Sequence, residues 1–260
     1  MSMTERGTVA QFKPAPGSAG AFRMVLSHAK FEFGLILRNG EQILLTLIIP
    51  LAAMLGLNFV SGIDLGTDDR IQVIAPGTIA LAILATAFAS QAISTGFDRR
   101  YGVIKLLGTT PLSRGRLLAS RILAILAVEV VQIVLILILG IALGWRAEGN
   151  ALFALVFIVL GTISLTALAL LLAGTLRAEA TLAVANAVFL LLMFVGGVMI
   201  PLTNAPAWMA SAASLLPSGA LGEGLRMSMS TGGFDGSAAL VLVIWGVLGT
   251  LFTIKFFKWE

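Results

Sequence analysis

The chain has 260 residues, of which 58% are hydrophobic and 12% charged, with a mean hydropathy of +1.01. Soluble domains carry about a quarter charged residues, so this composition leaves too little polar surface to solvate a globule. Apolar runs of about 20 residues, long enough to cross a bilayer core of about 30 Å, recur along the chain; one all-α membrane domain is expected, with no room for a sizeable soluble one. No cysteine is present, which excludes disulfides and thiolate metal sites.

Residues 1–20 include Lys13-Pro14-Ala15-Pro16-Gly17-Ser18 and have little to bury, so a loosely ordered cytoplasmic N-terminus is expected. The start has no signal-peptide pattern. From Phe22 the pattern is helical over 21–41. Phe22, Val25, Leu26, Ala29, Phe33, Ile36 and Leu37 share one face, while Arg23, Ser27, Lys30 and Arg38 gather on another. Such a basic amphipathic helix lies in the headgroup region; the competing reading is a helix packed on a soluble partner.

Residues 42–260 are expected to form one six-span transmembrane domain, with spans predicted at 42–63, 72–96, 118–143, 151–175, 180–200 and 238–256. Spans four and five are joined only by Arg177-Ala178-Glu179, which makes them an antiparallel hairpin. Fourteen of the 17 lysines and arginines fall in the N-terminal segment, the loop after span two, Arg177 and the C-terminal end. Arg70, Arg146 and Arg226 remain on the other side. The asymmetry puts both termini in the cytoplasm, with an inner-membrane, multi-pass topology and an even number of spans. It also accounts for the net charge of +4 without nucleic acid. No repeat of fixed period is visible.

No lysine follows a glycine, so the chain lacks a Walker A phosphate loop. The one histidine, His28, reads as a surface or interface residue, because a metal site needs several converging donors. No nucleophile-elbow or zincin pattern occurs. The most distinctive stretch is the loop Phe97–Arg116. It combines Asp98, Arg99, Arg100 and Lys105 with Tyr101, Ile104, Leu106, Leu107 and Leu112, which are expected to be exposed, and a turn from Gly108 to Pro111. Exposed apolar groups rimmed by charge mark a protein-binding surface; plain positive-inside anchoring is the alternative.

Three segments resemble permeases of the type-2 ABC exporter family. The first is this loop, with Lys105-Leu106-Leu107 and Pro111-Leu112-Ser113-Arg114. The second is Arg38-Asn39-Gly40-Glu41-Gln42, leading into a span that contains Pro50. The third is Gly196-Gly197-Val198-Met199-Ile200-Pro201, followed by Pro206-Ala207-Trp208 and Leu215-Leu216-Pro217. Asp98 followed by two arginines departs from the glutamate-rich start of many members. The resemblance implies an ATPase-coupling element built from Asp98, Arg99, Arg100, Tyr101, Lys105, Leu106, Leu107 and Pro111, and a connecting helix at 22–40. It also implies a partly re-entrant extracellular segment at 201–226, with Pro201, Pro206, Trp208 and Pro217 at an extracellular gate. By the same resemblance no cofactor is bound by this chain. ATP and Mg²⁺ act through two copies of a separate ATPase, and a second copy of this chain or a related permease completes the transporter among the membrane lipids.

Glu129 is the outlier within the spans. A carboxyl at mid-bilayer must face protein or water, and Gln132, Asn58, Gln91 and Asn186 are its candidate partners. Glu129, Gln132, Asn58 and Asn186 thus form a candidate substrate path or an intramembrane polar cluster; a plain polar clamp between helices competes with that role. Gly140 and Gly144 match a small-residue packing pair. The apolar spans, with a single tyrosine in the chain, fit export of an apolar or amphiphilic compound such as a drug or lipid. A polysaccharide or glycolipid is the alternative cargo. An ion-coupled secondary transporter would need paired midplane charges, and an enzyme would need converging catalytic groups.

Overall fold

The computed structural model describes residues 17, 19–60, 65, 67, 69–146, 148–202 and 206–257. The expected loose stretch before Gly17, the end of the span predicted at 42–63, and Lys258 lie outside these residues.

Ten helices make up the described chain. Helix α1 is Ala21–Arg38. Gly40–Ile43, Leu44–Ile48 and Ile49–Phe59 run on as one helix, α2, residues 40–59. Helix α3 is Arg70–Arg100, and the short α4 is Val103–Gly108. Helices α5 (Arg114–Ala142), α6 (Ala151–Thr175) and α7 (Ala178–Val195) follow. Two shorter helices, α8 (Ala207–Leu215) and α9 (Pro217–Ser230), precede α10 (Gly236–Phe256).

Helices α3, α5, α6, α7 and α10 are long and apolar enough to cross a membrane, and α2 has a shorter apolar run, Thr46–Phe59. Their outer faces carry exposed aliphatic side chains, among them Val130, Val134, Ile138, Leu190, Leu191, Val247 and Leu251. In water such surface would aggregate; in lipid it is the solvent-facing side. Helix α3 is the hub: 83% of its apolar window is buried, and α2, α5, α6, α7 and α9 pack around it.

Local chemistry sets the helix ends. Asn150 Oδ1 accepts from the amides of Leu152 and Phe153 at the start of α6, and Asp235 Oδ1 does so for Ser237 and Ala238 at the start of α10, satisfying donors that a helix N-terminus leaves free. Gly102 lies between α3 and α4 at φ 76°, a left-handed turn that glycine makes without steric cost. Helix α9 begins at Pro217, whose missing N–H costs nothing at a first-turn position. It buries Pro217 to Gly222, Gly224, Leu225 and Ser228 against α3, α6 and α10. That seat needs Gly224, because a Cβ there would sit 2.4 Å from the Phe157 ring.

Both α2 and α3 contain a widened, π-helical turn. At Leu44–Ile48 the amide of Ile49 reaches back to Leu44 O, one residue before Pro50. The second spans Leu84–Ser90, with the amide of Gln91 reaching Thr86 O. Such turns free backbone groups that something else must satisfy.

The amphipathic α1 is present but seated differently from its sequence pattern. Ala29 and Ile36 are buried, and α1 packs along α5. Phe22, Leu26, Phe31, Leu35 and Leu37 are exposed. The helix therefore has a protein-facing side that includes polar His28 and Glu32, which its apolar pattern does not reveal. Of the small-residue pair, Gly140 lies against Met54 and Ala75.

Candidate functional site

Three polar constellations stand out, spaced along the bundle. The first is at its basic end, where α1, α3 and α5 converge on Arg121. Its side chain is 1% exposed and its Nη2 lies 2.6 Å from Asp98 Oδ2 and 3.1 Å from Glu32 Oε1, while Nη1 donates to Thr95 Oγ1 at 2.8 Å. One buried cation thus ties three helices. Beside it Ser120 Oγ donates to Leu117 O at 2.8 Å, which uses its one hydrogen. His28 Nδ1, 3.0 Å away, is therefore the donor to Ser120 Oγ. Burial holds the His28 imidazole below its ordinary value, Glu32 and Asp98 opposing and Arg121 reinforcing the shift.

Helix α4 follows α3 directly at this end. Ile104 and Leu112 are buried with Leu117 and Phe257, and Leu107 is half-buried against them. The expectation that Ile104 and Leu112 are exposed is corrected: this small core anchors α4 to the feet of α5 and α10. On its outer side Tyr101 is 73% and Leu106 69% exposed, and Lys105 and Pro111 are also exposed. The charged residues just before α4 are engaged within the chain. Asp98 holds Arg121, Arg99 donates to the carbonyls of Ala173 and Leu176 at the end of α6, and Arg100 pairs with Glu179 at the start of α7. A cleft of about 250 Å³ lies among Gly96, Arg99, Arg100, Arg177 and Glu179.

The second constellation is at mid-depth. Glu129, one residue from the middle of α5, is fully buried. Its Oε2 lies 2.6 Å from Thr162 Oγ1 of α6. Gln132 joins other groups: its Nε2 donates to Thr46 O and Thr86 Oγ1, each at 2.9 Å. Pro50 has no N–H to offer the carbonyl four residues back, which is that of Thr46. Gln132 fills that vacancy and ties it to the widened turn of α3 through Thr86. Gln42 Nε2 donates to Ser90 Oγ, a second tie between α2 and α3. Of the other expected partners of Glu129, Gln91 donates to Thr95, Asn58 is half-buried near the far end of α2, and Asn186 is exposed on α7.

The third lies at the opposite end. Arg226 of α9 donates to Gly197 O and Val198 O, each at 3.0 Å, and pairs with Glu223. It pins the turn after α7 onto α9. Pro217 is buried, Pro201 half-buried, and Pro206 and Trp208 are exposed. Sequence reasoning counted Arg121 and Arg226 only as topology markers and passed over Glu32 and Thr162. An arginine at a span end opposite carboxylates at the expected depth was the available signal for Arg121; Thr162 offered none.

Among the described residues no group of three or more His, Cys, Asp or Glu side chains is placed to hold a metal ion. A bundle of apolar helices around a buried hub, with lipid-facing aliphatic sides and a short helix held out at its basic end, defines a multi-pass membrane protein. The family model described as ABC-2 type transporter matches residues 25–230, and the chain belongs to that family. Its members are transport permeases that pair with ATP-binding subunits. No curated protein sequence matches the chain.

Proposed function

We propose that the chain is the permease subunit of an ATP-driven exporter that moves an apolar or amphiphilic compound, a drug or lipid, out of the cytoplasm. Two copies, or this chain and a related permease, enclose the path, and two ATPase subunits bind the cytoplasmic side with ATP and Mg²⁺. The membrane is the inner cell membrane. In this reading α2 is the sixth span: 20 residues at 1.5 Å each give about 30 Å. Both termini are then cytoplasmic, and α8–α9 dips back into the membrane from outside, a reading favoured by the deep burial of α9.

The observation that carries the proposal is α4. It has an exposed face of Tyr101, Lys105 and Leu106, a buried anchor of Ile104 and Leu112, and direct continuity with the central helix through Gly102. A push on α4 moves Asp98, four residues before Gly102, and through Arg121 reaches α1 and α5. In this reading Asp98, Arg99 and Arg100 position the coupling element, and Tyr101, Lys105, Leu106, Leu107 and Pro111 form its contact side. Glu129, Gln132, Asn58 and Asn186 mark the intramembrane path at separate points, Glu129 with Thr162 and Gln132 with Thr46 and Thr86, and Pro201, Pro206, Trp208 and Pro217 belong to the outer gate. Leu106→Asp places a charge on the exposed face without touching the anchor. Expected is normal membrane insertion with loss of the co-purifying ATP-binding subunit and of export; retained ATPase binding refutes the assignment of α4.

A further inference from the structure

The hydrogen bonds and the burial around Glu129 bear on its protonation state. Thr162 Oγ1 lies 2.8 Å from Ile158 O and 2.6 Å from Glu129 Oε2. A threonine hydroxyl has one hydrogen, and a backbone carbonyl has none to give. The hydroxyl cannot serve both contacts: it donates either to Glu129 Oε2 or to Ile158 O, and in the second arrangement the hydrogen of the 2.6 Å contact comes from the carboxyl. The other oxygen, Oε1, is buried with no hydrogen-bond partner among the described residues. Carboxylate oxygens are stable in such a place only when paired or richly hydrogen-bonded, whereas a neutral carbonyl oxygen tolerates it better.

The surroundings agree. Helix α6 has no ionisable residue, and those of α3 are confined to its ends: Arg70, and Asp98, Arg99 and Arg100. On α1, His28 and Glu32 face Arg121, which Glu32 and Asp98 already hold. Arg23, Lys30 and Arg38 of α1 are exposed. Within α5, Arg121 is eight residues away, about 12 Å along the axis.

We infer that Glu129 is a neutral carboxylic acid that donates to Thr162, so that the seam between α5 and α6 holds a proton at the middle of the bundle. The ligand of this site is a proton, held in the buried contact between the two helices. This deepens the proposed place of Glu129 on the intramembrane path. It is tested on the chain alone, so that its failure is distinct from failure of the exporter reading.

The experiment is infrared spectroscopy of the full chain in lipid nanodiscs at pH 7, with and without ¹³C at the glutamate side-chain carboxyl. Expected is a protonated-carboxyl C=O band that shifts with the label and is missing in Glu129→Gln. In Thr162→Val the band persists and moves to higher frequency, because the hydrogen bond is gone. No label-sensitive band in the wild-type chain overturns the inference, and this needs no variant to fold. A band that survives in Glu129→Gln, or that disappears in Thr162→Val, also overturns it.

Discussion

Replacing Arg121 by methionine removes the cation that joins α1, α3 and α5 while keeping most of the side-chain volume. Breaking a fully buried ion pair by deleting one partner costs about 3–5 kcal/mol. Here the arginine side chain is 1% exposed but Glu32 and Asp98 are 15% and 30% exposed, so the two stranded carboxylates recover part of their hydration. We expect a loss of about 2–3 kcal/mol, discounted from that range for the exposure. It should appear as undocking of α1, the element held here with the fewest other anchors. The chain has no cysteine, so a single Ala29→Cys places one thiol in the buried contact between α1 and α5 (Ala29 is 3% exposed). If the thiol reacts only from the undocked state, maleimide labelling scales with the undocked population. At 1.4 kcal/mol per tenfold, labelling should then quicken about 30- to 140-fold in the Arg121→Met background. Adding Glu32→Gln should contribute less than it does alone, because the pair is already broken. Labelling within twofold of the parent would refute the claim that Arg121 holds α1.

The same thiol reports on His28, whose imidazole burial keeps below its ordinary value. A depressed folded value means stability that is present above the unfolded value of about 6.5 and is lost as pH falls below it. Labelling, divided at each pH by that of a freely exposed thiol to remove the falling thiolate fraction, should therefore rise on acidification through about pH 6, and His28→Gln, which keeps a donor for Ser120, should flatten the dependence. Gln132→Leu leaves the Thr46 carbonyl without its side-chain donor and should cost about 1–3 kcal/mol in thermal unfolding of the detergent-solubilised chain. Pro50→Ala, by restoring an N–H, should return part of that loss. Gly224→Ala forces a methyl against the Phe157 ring at 2.4 Å and should cost about 1–3 kcal/mol; Phe157→Leu in the same chain should relieve it, as read by the midpoint of unfolding.

Much of the bundle was visible in the order of residues. The five long apolar helices announce themselves as apolar runs because the bilayer demands length and apolarity together. Helix α4 was legible as a mixture of charge and apolar side chains, but which residues turn inward was not. Ile104 and Leu112 look as exposed as Leu106 until α10 delivers Phe257 beneath them. The partners in the polar clusters were less accessible still. Glu129 announced itself as a carboxyl in an apolar run, whereas Thr162 is one hydroxyl among many, and only the packing of α5 on α6 selects it. By spacing Gln132 is a natural partner for Glu129 three residues away, yet the carbonyl left without a partner by Pro50 competes for its amide. Helix periodicity reports which residues share a face and is silent on which neighbour that face meets.

The burial of α3 bears on how the chain is made. Of the five long helices it has the least apolar window and the most buried one. Gln72, Thr78, Thr86, Gln91 and Thr95 along it find partners in neighbouring segments or within α3 itself. Yet it leaves the ribosome ahead of α5, α6, α7 and α9, which later cover it. During synthesis α3 therefore meets lipid or the insertion machinery before Thr86 and Thr95 have their partners on α5, and its final position depends on residues translated as much as a hundred codons later. Truncation after α5 should leave an α3 that inserts poorly, even though every one of its own residues is present.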